Sequence, residues 1–166
     1  MRNLLFIFFI SASVFVAAQE DSTNGQNLRL IHKNHFGFSI GGPGFLGYYY
    51  EHYFNHNWSL EVGIGSVLVL TGAYAEGRYY FGSKDKPHKY APYLGLAGGV
   101  VSIIGASDGY FAPLFYAPVG FQIFNSRGFA FSMEAAVLHF DGETFPMGAL
   151  RFRLMKKKQK RLRNQI

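Results

Sequence analysis

The chain has 166 residues, a length that fits one domain, and no cysteine, which excludes a disulfide framework, thiolate metal sites and a cysteine nucleophile. Charged residues are only 16% of it, against about 25% in ordinary soluble domains, while 18 Phe, 11 Tyr and 20 Gly point to many short strands on an apolar surface. The net charge of +6 does not indicate nucleic acid: six of the 16 basic residues lie between Lys156 and Arg163, one is Arg2, and the other nine face ten acids.

Residues 1–18 read as a signal peptide. Arg2 supplies the positive start, Leu4 to Ile10 the unbroken apolar run, and Val16-Ala17-Ala18 the small-residue cleavage site before Gln19. The apolar run is short for a spanning helix of about 20 residues, and no cysteine follows it as a lipoprotein would require. Residues 19–34 read as a polar, mobile lead-in outside the core.

From His35 to Leu154 no window repeats apolar residues at helical spacing. The chain instead divides into eight runs with period-two patterning, separated by turn residues. They are His35–Gly41, Phe45–Phe54, Trp58–Val67, Ala73–Phe81, Ala91–Val101, Ala112–Phe124, Phe129–Phe140 and Met147–Leu154. The breaks carry Gly41-Gly42-Pro43-Gly44, Asn55-His56-Asn57, Leu70-Thr71-Gly72, Gly82 to His88, Ala106 to Gly109, Asn125 to Gly128 and Asp141-Gly142-Glu143. Such residues suit tight turns because they accept a positive or a fixed φ. Residues 155–166 read as a basic, flexible tail.

The alternation separates two faces. In the third run Leu60, Val62 and Ile64 oppose Ser59, Glu61, Gly63 and Gly65; in the seventh Phe129, Phe131, Met133, Ala135 and Val137 oppose Ala130, Ser132, Glu134 and Ala136. In the eighth Gly148, Leu150, Phe152 and Leu154 oppose Ala149, Arg151 and Arg153. A soluble barrel would turn the apolar face inward and leave only small residues and a few charges for water. The inverse suits lipid outside and small or charged side chains inside a narrow lumen. Closure follows, since an open sheet edge cannot be satisfied in hydrocarbon. The expected fold is all-β, an eight-stranded antiparallel up-and-down transmembrane β-barrel. Tyr48, Tyr50, Tyr53, Trp58, Tyr79 and Tyr90 are expected in interfacial girdles.

Folding the third and fourth runs about Val69-Leu70 places Glu61 opposite Arg78. Folding the seventh and eighth about Gly142-Glu143 places Glu134 opposite Arg151. Both are expected as lumen ion pairs, with Glu51, Glu76 and Arg153 joining the network, because charges in a narrow interior persist only when paired. With both mature ends in the periplasm, the breaks at Asn55, Ser83 and Ser126 face that side. Those at Gly42, Leu70, Ala106 and Gly142 then face outward.

The leader, the Gly- and Tyr-rich alternating strands, the Tyr90-Ala91-Pro92-Tyr93-Leu94-Gly95-Leu96-Ala97-Gly98-Gly99 stretch and the Glu/Arg interior together resemble the small outer-membrane β-barrel family. That family includes the OmpA transmembrane domain, OmpX and PorT-like proteins. The resemblance covers about His35 to Leu154 and implies a Gram-negative outer-membrane location, with outer-membrane lipid and the barrel-assembly machinery as partners. This chain departs from the family in its end: Phe152 is followed by Leu154 and a basic tail rather than by a terminal aromatic residue. No peptidoglycan-binding domain is expected, so a cell-wall anchoring role does not carry over from the resemblance.

Chemistry finds little purchase in the pattern. The six histidines make no H-E-x-x-H motif, and His52 and His56 could share a metal only if their turn brought them together. His139 and Ser132 fall on opposite strand faces and make no catalytic dyad. Gly41-Gly42-Pro43-Gly44 has no following helix or Lys-Ser/Thr, so it is not a phosphate loop. No catalytic residue, cofactor or metal is expected. The leading expectation is a structural or interaction barrel with a charge-plugged lumen. The alternatives are an accessory barrel of an export complex contacting a protein partner through the basic tail, a lipid-processing enzyme, and a soluble lipocalin-like ligand binder.

Overall fold

The computed structural model describes residues 29, 33–68, 70–82, 90–103, 110–125 and 129–155. The leader, most of the lead-in, the tail beyond Met155 and the breaks at Ser83, Ala106 and Ser126 lie outside the described residues.

Eight strands follow one another along the chain: β1 (Asn34–Gly41), β2 (Leu46–Tyr53), β3 (Trp58–Val67), β4 (Leu70–Tyr80), β5 (Tyr90–Ile103), β6 (Phe111–Asn125), β7 (Phe129–Phe140) and β8 (Glu143–Met155). Each pairs antiparallel with its successor, and β8 pairs with β1, giving a closed up-and-down barrel. The third and seventh strands coincide with the sequence-based limits. β4 and β8 begin earlier than expected, at Leu70 and Glu143 rather than at Ala73 and Met147.

The turns explain the difference. Val67 pairs with Leu70, and Leu68 between them takes a φ of 51°. Phe140 pairs with Glu143 across Asp141 (φ 53°) and Gly142 (φ 79°), a two-residue hairpin with both central residues left-handed. Each turn is therefore centred one residue earlier than the sequence reading placed it. At the β1–β2 connection Gly41 and Gly42 take positive φ, and the Phe45 amide donates to the Gly42 carbonyl at 3.1 Å. At the opposite end the Asn55 side chain accepts the amides of Asn57 and Trp58, both at 2.9 Å, closing the β2–β3 turn. The Asn57 carbonyl then accepts the Tyr80 amide at 2.7 Å and ties that turn to the end of β4. Within β6, Pro118 has no amide hydrogen to donate, and the β5–β6 pairing is interrupted at Gly95 and Leu96, opposite Pro118 and Ala117.

The two faces differ sharply. Phe36, Ile64, Leu96, Val119 and Leu154 point outward and are each more than 60% exposed. The inward positions are mostly small, aromatic, polar or charged, with Val101, Leu114 and Leu138 as aliphatic exceptions. Tyr49 sits opposite Gly37 and Gly63, Tyr74 opposite Gly63 and Gly99, and Tyr93 opposite Gly120. A Cβ at Gly63 would meet the Tyr74 ring at 2.5 Å, so glycine there makes room for the phenol in a barrel too narrow for two side chains abreast. Tyr53, expected in the outer girdle, is instead fully buried in the lumen, because it shares the inward parity of Tyr49 and Glu51 on β2. Trp58 does face outward, edge-on to Tyr79 with ring centroids 5.0 Å apart.

Candidate functional site

The lumen is layered. At the end where β2, β4 and β6 finish, Tyr53, Tyr80, Ala91, Tyr93, Phe124 and Ala130 pack together. At the other end Tyr74, Ala97, Val101, Leu114, Tyr116 and Leu138 form a second apolar and aromatic layer. Between them lie Glu51, Glu61, Glu76, Arg78, Glu134, Arg151 and Arg153, whose paired side chains are wholly removed from solvent. The structure thus brings all seven lumen residues singled out in the sequence into one cluster.

Their register differs from the sequence reading in an instructive way. Glu61 lies opposite Glu76, and Arg78 opposite Ser59; Glu134 lies opposite Ala149, and Arg151 opposite Ser132. Moving each turn centre by one residue moves every partner by two, which keeps all side chains on their original face. The expected contacts are therefore made obliquely: Arg78 Nη1 to Glu61 Oε2 at 2.9 Å, and Arg151 Nε to Glu134 Oε1 at 2.5 Å.

The true register lines up three carboxylates, with Glu51 opposite Glu61 and Glu61 opposite Glu76 on β2, β3 and β4. Like charges directly opposite one another repel. The arginines offset this. Arg78 grips Glu76 through two nitrogens at 2.5 and 3.0 Å, and reaches Glu51 and Glu134, each at 3.5 Å. Across the lumen on β8, Arg151 pairs with Glu61 and meets Glu76 at 2.8 Å. Arg153 meets Glu51 at 2.9 Å and donates to Ser132 at 2.9 Å. The Arg151 Nε and Arg153 Nε contacts are close in distance but not aligned as hydrogen bonds, so their attraction is chiefly coulombic.

Hydroxyls complete the carboxylate shells, a feature the charge pattern did not reveal. Tyr93 and Tyr116 donate to Glu134 at 2.5 and 2.9 Å, and Tyr74 donates to Glu61 at 2.8 Å. Ser59 and Tyr80 donate to Glu51 at 2.7 and 2.8 Å. The Arg151 guanidinium also lies 5.5 Å from the centroid of the Tyr49 ring. These tyrosines and Ser59 share the inward parity of the acids, which is the signal that could have found them.

One lumen participant carried no such signal. Arg29 belongs to the stretch read as a solvated lead-in, yet it is 1% exposed. Its guanidinium stacks over Tyr80 at 4.8 Å and Phe124 at 5.8 Å, and its Nη1 donates to the His56 carbonyl at 2.5 Å.

No protein-family model, curated protein or solved structure matches this chain.

Other candidate chemistry is dispersed. Ser132 is buried in the lumen, whereas His139 faces outward with its Nδ1 3.0 Å from Thr144 Oγ1. His52 Nδ1 lies 2.7 Å from Asn34 Oδ1, while the His56 carbonyl serves Arg29. Among the described residues no group of His, Cys, Asp or Glu side chains is arranged to hold a metal ion. Beside the β7–β8 turn the Tyr110 hydroxyl donates to Asp141, which holds its phenol above the ordinary tyrosine range. The cluster ties β2, β3, β4, β7 and β8 together through ion pairs. Among the described residues Arg78, Arg151 and Arg153 are each set against carboxylates, and a layer containing tyrosines lies on either side of the cluster.

Proposed function

We propose that this chain is a small outer-membrane β-barrel of a Gram-negative bacterium with a structural or interaction role, and that its charged lumen serves as a permanent plug. It reaches the membrane through the leader at residues 1–18 and the barrel-assembly machinery, and outer-membrane lipid surrounds it. This places it beside the OmpA transmembrane domain and OmpX, which the sequence pattern resembles. It has no catalytic role on this reading.

The observation that supports the reading is the inversion of polarity. Glu51, Glu61, Glu76, Arg78, Arg151 and Arg153 are all 0% exposed, while Phe36, Ile64, Leu96 and Leu154 stand on the outside. Water would solvate that outer surface poorly, since monomeric soluble proteins rarely expose contiguous apolar patches above a few hundred Å². A hydrocarbon band solvates it well, and the closed ladder leaves no strand edge to satisfy in lipid.

The test is expression with the leader in a Gram-negative host, followed by membrane fractionation and gel mobility with and without boiling. Recovery in the outer membrane with a mobility shift on boiling is expected. Recovery as soluble periplasmic protein without a shift would replace this reading with a lipocalin-like ligand binder.

A further inference from the structure

Among the described residues the strands bury four glutamates in the lumen (Glu51, Glu61, Glu76 and Glu134) but only three arginines (Arg78, Arg151 and Arg153). The strands therefore set one arginine fewer than glutamates into the lumen. The fourth comes from outside the strands. Arg29 enters at the end where β2, β4 and β6 finish, and its guanidinium lies over the faces of Tyr80 and Phe124. Tyr80 itself donates to Glu51 at 2.8 Å, and Tyr53 donates to the same carboxylate at 3.3 Å. The cation therefore rests on a ring whose hydroxyl already leans on a carboxylate. The His56 carbonyl takes one of its N–H groups, and that turn is pinned by the Asn57–Tyr80 backbone bond. Two aromatic faces, one fixed carbonyl and a carboxylate behind them match a planar guanidinium better than a compact ammonium.

We propose that this end of the lumen is a guanidinium-binding site whose resident ligand is the chain's own Arg29. The site is built by β2, β4, β6 and the β2–β3 turn, so it persists when Arg29 is removed. It then takes a guanidinium group from solution, and an arginine offered by another chain belongs to the same ligand class. Arg29 keeps such ligands out, supplies the missing positive charge and closes this mouth of the barrel. The inference concerns the lumen alone and does not depend on the membrane reading.

The experiment is chemical rescue. The full chain and its Arg29→Ala variant are refolded, in detergent micelles where the barrel requires them and in buffer where it does not, and urea unfolding is followed by tyrosine and Trp58 emission. Arg29→Ala is expected to lower the unfolding midpoint. Guanidinium chloride at about 10 mM, far below denaturing concentrations, is expected to restore part of that loss by mass action. Sodium chloride at equal ionic strength restores none of it, and neither salt moves the native chain upward, because its site is filled. N-acetylargininamide rescues as guanidinium does, and N-acetyllysinamide rescues less. Phe124→Leu, which removes one stacking face, diminishes the rescue. Should Arg29→Ala fail to refold, Arg29→Lys replaces it, with guanidinium again raising the midpoint more than sodium. An unchanged midpoint in Arg29→Ala, or a loss that guanidinium and sodium affect equally, overturns the proposal.

Discussion

Replacing Arg78 by methionine tests whether the lumen is as dry and as tightly coupled as its geometry implies. The guanidinium approaches Glu76 at 2.5 and 3.0 Å and Glu61 at 2.9 Å, and lies 3.5 Å from both Glu51 and Glu134. Its removal leaves the aligned row of Glu51, Glu61 and Glu76 facing only Arg151 and Arg153 from the strands. Methionine keeps much of the apolar stem, so the loss is mainly electrostatic. Breaking a buried pair by removing one partner costs about 3–5 kcal/mol, a large share of the roughly 5–15 kcal/mol that stabilises a domain. Taking an m-value of about 2 kcal/mol/M, the urea midpoint should fall by about 2 M. The assay is urea unfolding in fixed detergent micelles, read by Trp58 emission and by the fraction of unboiled protein migrating as folded barrel. Lys33→Met, at an exposed cation, is the control and should leave the midpoint unchanged. Adding Glu76→Gln to Arg78→Met should recover part of the loss by lowering the surplus of negative charge. A loss below about 1 kcal/mol, the range of a solvent-exposed pair, would refute the reasoning and mean that water screens the cluster.

Three further outcomes follow from the same geometry. Gly63→Ala should lower the unfolding free energy by about 1–3 kcal/mol through overpacking against Tyr74, whereas Gly98→Ala, whose Cβ would meet nothing within 4 Å, should be close to neutral in the same titration. Leu96→Arg, near the middle of β5 and 68% exposed, should cost about 2–4 kcal/mol in lipid vesicles if that face meets hydrocarbon; an unchanged stability there would count against the membrane reading. In a planar bilayer the native chain should show no steady conductance, because the ion-pair layer lies between two aromatic layers; a steady open level would contradict the plug.

The parity of side chains was legible in the sequence, while the turn centres were not. Alternation fixes which face a residue occupies however far the strand slides by even steps, so Glu61, Arg78, Glu134 and Arg151 could be assigned to the lumen before their partners were known. The partners depend on the turn, and there local chemistry misled. Leu70-Thr71-Gly72 has the look of a loop, yet the left-handed residue is Leu68, an apolar side chain at the rim of the barrel that is 94% exposed. Asp141-Gly142 does carry the two-residue hairpin signal, but Glu143, whose polar side chain groups it with the break, is the first residue of β8. Tyr53 failed for a different reason. Aromatic character at a strand end suggested an interface, whereas its parity with Glu51 decided its place, and the lumen needed its hydroxyl. Arg29 lay beyond any periodic argument because no strand pattern contains it. The charge count was the remaining clue. Four inward acids and three inward arginines could be counted on the alternating runs alone, and a closed lumen of low dielectric makes a surplus charge costly. That imbalance calls for one more cation from outside the strands, and the structure supplies it from the segment that composition had assigned to solvent.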